Sequence, residues 1–423
     1  METRSWDLGI FEQAVRAYAR LEAPVVDLKG PGTNVLGDHF SPVTALIAPA
    51  YRLFPTPVTL LVVQAALFAL AAVPVTRAAS RLLGRAQGLA VGVAYGLSWG
   101  IQQAVDFDFH EICFAVPLIA FALAALLRRR WRAALLWAAP LVLVKEDLGI
   151  TLSAIAVVVA WRARREPSGA AVYALGVAAL GVLATVLTLT VVIPAFNASG
   201  GYDYWSKVDG GPSPFAGADV KLRTLAWLLL PTTGLLALRS PLVLAGVPTL
   251  GWRLLSGEEH YWSTDWHYNA VLMPVLLLAL VDAVALSRRS PRPWLRAYAD
   301  RLPACAAAVA LALTTAQPLS ALTESAAYRK PARAVAVEDL LSRIPDGASV
   351  ESDVGPISRL AGRCRVLWLG DTRGVTPDWI AFDNSSDRVK DPLAYARRLH
   401  PGATYDFSGE AGGYLLLERA DRG

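Results

Sequence analysis

The residues able to do chemistry stand in short polar clusters between long apolar runs. The first cluster holds Asp7 and, further on, Asp38, His39 and Ser41. The second is Asp106-Phe107-Asp108-Phe109-His110-Glu111, and the third is Lys145-Glu146-Asp147. The fourth runs from Glu258 to Tyr268 and includes His260, Tyr261, Trp262, Trp266 and His267. Carboxylates beside imidazoles suit proton transfer to and from a hydroxyl. A lysine flanked by carboxylates suits an anion such as phosphate, whose charge grows as a bond breaks. Asp108, His110 and Glu111 could also bind a divalent ion. No HExxH or comparable ligand spacing supports that, so neither a metal nor any other cofactor is assigned.

Each cluster also has a plain structural reading. Asp7 precedes an apolar-periodic helix and suits an N-cap, as do Asp38 or Ser41 before an expected helix over Pro42–Phe54. The aromatic residues of 258–268, with Tyr202, Tyr204 and Trp205, suit an interfacial belt as well as a surface on which sugar rings stack. Lys145 and Glu146 can neutralise each other at the tip of a helical hairpin. They interrupt an apolar stretch from Ala133 to Ala160, however. Charges at such depth cost a few kcal/mol each in insertion scales, so they usually face a cavity or a partner.

The elements that position these clusters are read from composition and periodicity. Apolar residues make up 54% of the chain and charged ones only 18%, with a mean hydropathy of +0.40. Ordinary soluble chains are roughly a quarter charged, so the bilayer is the expected solvent. Cys113, Cys305 and Cys364 are too scattered for a disulfide framework or a CxxC metal site. The net charge of +5 comes from arginines at the ends of apolar runs and does not point to nucleic acid.

Spans are expected near 57–76, 87–104, 112–127, 133–144, 148–162, 169–195, 223–239, 241–255, 267–287 and 302–322. That makes about eight to eleven transmembrane helices, since a bilayer core takes roughly 20 apolar residues. Arg77 to Arg85, Arg128 to Arg132, Arg162 to Arg165, Arg239 and Arg288 to Arg301 alternate with the polar clusters along the chain. The positive-inside rule then puts the arginines in the cytoplasm and every polar cluster outside. The expected organisation is an outer N-terminal segment with amphipathic helices (1–56), a transmembrane domain (57–322) and an extracytoplasmic α/β domain (323–423). With no targeting segment before Trp6, a first transmembrane helix upstream of Met1 is also expected. Strands are predicted at Ala348–Glu351, Val366–Leu369, Trp379–Phe382 and Tyr414–Leu417, helices at Ala332–Arg343 and Pro392–His400, and a hairpin turn over Gly409–Gly413.

Several of these runs resemble one bacterial family, the predicted membrane proteins of domain of unknown function 2079. They are Asp7-Leu8-Gly9-Ile10-Phe11 with Gln13, Gly37-Asp38-His39-Phe40-Ser41-Pro42, and Pro49-Ala50-Tyr51-Arg52-Leu53-Phe54-Pro55. Phe109-His110-Glu111, Lys145-Glu146-Asp147 and His267-Tyr268 belong with them. The family in turn resembles the C-type glycosyltransferases, multi-span enzymes that use lipid-phosphate-linked sugars outside the cytoplasm. That resemblance implies hexosyl or pentosyl transfer from a polyprenyl-phosphate donor to an envelope acceptor. Asp7 is similar in position to the superfamily's first-loop acidic residue and would be the catalytic base. There is no Asp-Asp or Asp-Glu pair at Asp7. Lys145 or Arg52 would offset charge on the departing phosphate. His39, His110, Glu111 and Glu146 would orient the acceptor or a metal, with Gln13, Asp38, His267 and Tyr268 completing the substrate-binding set. A non-catalytic scaffold for envelope assembly and a transporter with Lys145–Glu146 as a gating pair are the other readings. Against a transporter, no inverted repeat is visible.

Overall fold

A computed structural model of the chain describes residues 6–204 and 216–420. Its first helix, α1 (Trp6–Ala19), is buried on both faces. Leu8, Phe11 and Val15 pack into the core of the membrane domain. Ile10 and Ala14 pack with Leu28, Val350, Ile357 and Leu416 into the core of the C-terminal domain. The expected amphipathic stripe is therefore replaced by two apolar faces, because α1 is the layer between two cores. Polar residues along its flanks tie it to the C-terminal domain: Gln13 Nε2 donates to the Val366 carbonyl at 3.0 Å, and Arg16 donates to the carbonyls of Ala361 and Cys364 at 2.8 and 2.7 Å.

Gly9 sits at the closest point of this seam. A Cβ there would lie 2.0 Å from Ile357 Cγ2 and 3.0 Å from Leu28 Cδ1. Alanine is the better helix former by roughly 1 kcal/mol, yet Gly9→Ala is expected to destabilise the protein by about 1–3 kcal/mol through overpacking. Thermal unfolding of the purified protein checks this; a neutral or stabilising result would mean that the seam is loose.

Among the described residues two helices, Pro57–Leu83 and Ala170–Phe196, are long and apolar enough to cross a membrane, each with 27 residues. A third candidate, Glu259–Asn269 with Leu272–Ser287, is bent by 72° at its break. Several other expected spans are realised as shorter helices, among them Glu111–Leu127, Trp131–Leu143, Leu148–Ala163 and Pro241–Leu255, while the expected span 302–322 is displaced, its helix running over Pro293–Thr314. The run 87–104 is divided between Arg85–Gly96 and Trp99–Phe107. Turns explain the segmentation. Pro57 opens its helix and Gly84, at φ +101°, closes it, the usual placement of proline and glycine at helix ends. The expected helix over Pro42–Phe54 is likewise split, into a 3-10 segment Pro42–Ile47 and a helix Ala48–Leu53.

Two of the arginine-bearing connections meet. Arg288 Nη2 donates to Gln87 Oε1 at 2.5 Å and Arg288 Nη1 to the Leu83 carbonyl at 3.3 Å. Within the bundle, Arg162 pairs with Asp282, which also accepts from Ser240 Oγ at 2.6 Å; three segments are joined around one buried carboxylate.

The C-terminal domain is a five-stranded mixed sheet with helices. Its strands are β1 (Ser349–Ser352), β2 (Arg365–Trp368), β3 (Trp379–Asp383), β4 (Tyr405–Ala411) and β5 (Tyr414–Arg419), in the order β2-β1-β3-β5-β4. β1 runs parallel to β2 and β3, whereas β5 is antiparallel to β3 and β4. The predicted strands and the helices Ala332–Leu341 and Pro392–Leu399 are present; β4 and the helix Val354–Leu360 were not foreseen. Gly412 and Gly413, both at positive φ, make the tight β4–β5 turn that two such residues favour.

Candidate functional site

The polar clusters, far apart in sequence, converge on one cavity of about 500 Å³. α1 contributes Asp7, the segment before the 3-10 turn Pro42–Ile47 contributes His39, and the loop after Phe107 contributes His110 and Glu111. Lys145, Glu146 and Asp147 come from the turn before the helix Leu148–Ala163, and His260 to Tyr268 from the last cluster.

Asp7 is not an N-cap. The capping is done by Asp108, whose Oδ2 accepts from the Leu8 amide at 3.0 Å while Oδ1 accepts from Phe109 N at 2.8 Å. Asp7 is thereby left to face the cavity, its Oδ2 3.2 Å from His110 Nε2. Burial disfavours the Asp7 carboxylate, but His110 beside it, with His39 and Lys145, more than offsets this and holds its pKa below the usual value. Burial likewise opposes charge on His110, and Asp7, Glu111 and Asp108 outweigh it, so the imidazole's pKa is raised. Asp108 is pushed up to about 6 by burial, against the pull of His110 and its two backbone bonds.

His110 stacks on His267 with ring centroids 3.3 Å apart and on Phe107 at 5.3 Å. Behind it, Gln64 pins the loop: its Nε2 donates to the Asp108 carbonyl at 2.8 Å and its Oε1 accepts from His110 N at 3.0 Å. Gln64 was missed from sequence, although a buried amide within an apolar helix was a usable signal.

On the facing wall Lys145 Nζ lies 2.9 Å from Glu111 Oε1 and 3.8 Å from Glu146 Oε1. Tyr202 donates its hydroxyl to Glu146 Oε1 at 3.2 Å. Burial works against the Lys145 ammonium, yet Glu111, Glu146 and Asp147 hold its pKa well above the ordinary value. Burial and the neighbouring Glu146 push the Asp147 carboxyl up to about 6. Five buried atoms around the cavity have no hydrogen-bond partner among the described residues: His110 Nδ1, Glu111 Oε2, Glu146 Oε2, Asp147 Oδ1 and His267 Nδ1. Buried polar atoms are normally satisfied, so this cluster is poised for a polar ligand. No group of three or more His, Cys, Asp or Glu residues suited to a metal ion occurs among the described residues.

The remaining expected residues lie elsewhere. Asp38 pairs with His39 and with Lys29 at 3.2 Å and lines a neighbouring cavity. It caps no helix, and Ser41 makes no cap bond, its hydroxyl donating instead to the His39 carbonyl at 3.1 Å. Gln13 bridges Val366 and the Leu28 amide, and Arg52 Nε donates to the Ala19 carbonyl at the end of α1; neither lines the cavity. Tyr202, Tyr204, Tyr261 and Trp266 do line it, so these aromatic residues belong to the site; Trp205 is outside the described residues. Leu189, Trp252 and Ser256 complete the wall and had no distinguishing signal in the sequence.

A family model described as Predicted membrane protein (DUF2079) matches residues 1–210 and 213–421. The chain belongs to that family. No curated protein matches this DUF2079 chain. Among solved structures it is similar to ArnT from Cupriavidus metallidurans in the apo state, at 14% identity and a TM-score of 0.52, covering 97% of this chain and 92% of that one. It is also similar to ArnT of the same organism bound to undecaprenyl phosphate, at 15% identity and a TM-score of 0.56, covering 97% and 93%. At this identity the likeness concerns the fold. The expected helical membrane protein with a small C-terminal α/β domain is borne out, and its fold is like that of ArnT.

Proposed function

We propose that this DUF2079 protein is a membrane glycosyltransferase that moves a sugar from a polyprenyl-phosphate donor to an envelope acceptor on the outer face of the membrane. The observation that carries the proposal is the convergence of Asp7, paired with His110, and Lys145 on one cavity. The likeness in fold to a protein solved with undecaprenyl phosphate supports a lipid-phosphate donor.

In this reaction the acceptor hydroxyl attacks C1 of the donor sugar. A new C1–O bond forms as the C1–O bond to phosphate breaks, and the bonding pair leaves with the polyprenyl phosphate. Asp7 takes the acceptor's proton and passes it to solvent. Lys145 offsets charge developing on the phosphate, an effect usually worth several kcal/mol. His110 keeps Asp7 ionised and oriented, while the tyrosines and Trp266 supply stacking surface and hydroxyls for the sugar. A carboxylate of low pKa is a weak base, which suffices where the transition state is oxocarbenium-like and the acceptor loses its proton late.

The test is to incubate proteoliposomes of the protein with radiolabelled polyprenyl-phosphate hexoses and pentoses and an envelope-lipid extract. Label is expected to move from one donor into a new product. No transfer from any donor by folded, membrane-inserted protein would overturn the proposal and favour a scaffold or a transporter.

A further inference from the structure

Beside the catalytic cavity lies a second one, also of about 500 Å³. Its walls come from α1, the segment after Phe196 and the turn after β2, so the C-terminal domain helps to build it. The partition between the cavities is made of sequence neighbours. Trp6 lines the second cavity and Asp7 the first; Asp38 lines the second and His39 the first; Tyr204 lines both. Successive residues on a helix point roughly 100° apart, so α1 presents one side chain to each side.

The chemistry of the second cavity differs from that of the first. Trp6 and Trp368 meet edge to face with ring centroids 4.5 Å apart, and both are half-buried. Its charges are largely matched internally: Lys29 pairs with Asp38 at 3.2 Å and Arg373 with Asp371 at 3.5 Å. No excess of positive charge awaits an anion. Indole faces together with carboxylates and the side chains of Asn197 and Ser199 are what a neutral polyhydroxylated ring requires. Its C–H faces stack on the aromatics and its hydroxyls donate to the carboxylates.

The rim is held in place. The Arg373 guanidinium covers Gly30, where a Cβ would lie 2.4 Å from its Cζ, and its Nη2 donates to the Lys29 carbonyl at 3.2 Å. Arg373 itself has φ +47°, a left-handed conformation that surrounding structure must stabilise in a non-glycine residue.

We infer that this second cavity is the saccharide site of the acceptor, holding a neutral sugar against Trp6 and Trp368 so that one hydroxyl reaches Asp7 across the partition. The inference rests on the transferase reading and specifies its acceptor as a glycan or glycolipid with an uncharged sugar at the reacting end. It also gives the C-terminal domain a task, since Trp368, Asp371 and Arg373 all belong to it.

The test titrates the full-length protein in detergent micelles with glucose, galactose, mannose, arabinose and N,N′-diacetylchitobiose, followed by saturation-transfer NMR. At least one sugar is expected to bind saturably. Trp368→Ala should abolish that binding. Asp371→Asn, at an exposed position, should weaken it about tenfold, as expected for one charge-assisted hydrogen bond. No saturable binding to any of the sugars, or equal binding by the wild type and both cavity variants, would overturn the inference. Melting temperatures show whether Trp368→Ala remains folded; Asp371→Asn decides the matter if it does not. Saccharide binding without transfer from any donor would support this site and sink the transfer reading alone. Transfer with acceptor KM unchanged in Asp371→Asn and Trp368→Phe would sink this inference alone.

Discussion

Asp7→Asn is expected to lower kcat for sugar transfer by about 10²–10⁴-fold, the range for loss of a positioned acid–base group. Acceptor and donor binding should stay near wild type, because the substitution keeps the shape of the side chain and removes only its charge and proton affinity. The cap on α1 comes from Asp108, so the helix is not expected to unravel when Asp7 changes. That separation makes the kcat effect interpretable. Despite burial, His110 holds the Asp7 carboxyl below its ordinary range, so Asp7 supplies no acid limb to the rate between pH 5 and 8. Stability carries a second signature. His110 has its folded pKa raised above 6.5, so its contribution is fully present below pH 6.5 and is lost as pH rises through the folded value. Asp7 is the largest attraction holding that proton. Melting temperature in the wild type should therefore fall on the alkaline side, and this fall should flatten in Asp7→Asn. Unchanged kcat would remove Asp7 from the chemistry; an unchanged alkaline fall would mean that the Asp7–His110 pair does not form.

How much of this site was legible follows from what each residue does locally. Lys145-Glu146-Asp147 stood out because charge within an apolar run has few structural uses. His110 and Glu111 stood out as an imidazole beside a carboxylate in a cluster of alternating acidic and aromatic residues, and all of them reach the cavity. Asp7 could be read either as a cap or as a base, and only the position of Asp108, distant in sequence, removes the cap reading. Arg52 and Gln13 looked equally chemical, but both satisfy backbone groups around α1. Nothing local distinguishes a polar side chain that serves a carbonyl from one that faces a cavity. The burial of α1 on two sides was hidden for a related reason. One of its faces meets helices of the membrane domain and the other meets Val350, Ile357 and Leu416, and such distant pairings leave no periodic mark on the helix itself. Helix breaks were underread because apolar runs such as 87–104 continue in composition through a turn at Leu97 and Ser98.

Lys145→Met is expected to reduce transfer by about 10²–10³-fold, the usual cost of removing one electrostatic contact to a charge that develops in a transition state. It should also destabilise the protein, because Glu111 and Glu146 would lose their shared cation. Removing one partner from a buried ion pair typically costs about 3–5 kcal/mol; Lys145 keeps 22% side-chain exposure, so a value near the lower bound is expected. These two effects must be separated, since an unstable enzyme is also a slow one. The double variant Lys145→Met with Glu111→Gln does so. Neutralising Glu111, whose Oε1 lies 2.9 Å from Lys145 Nζ, removes most of the uncompensated charge. The double variant should therefore regain much of the melting temperature lost in Lys145→Met. Transfer should remain low, because the cation needed by the departing phosphate is still missing. If activity returned together with stability, Lys145 would be a structural counter-ion for Glu111, and charge on the phosphate would have to be met by another group.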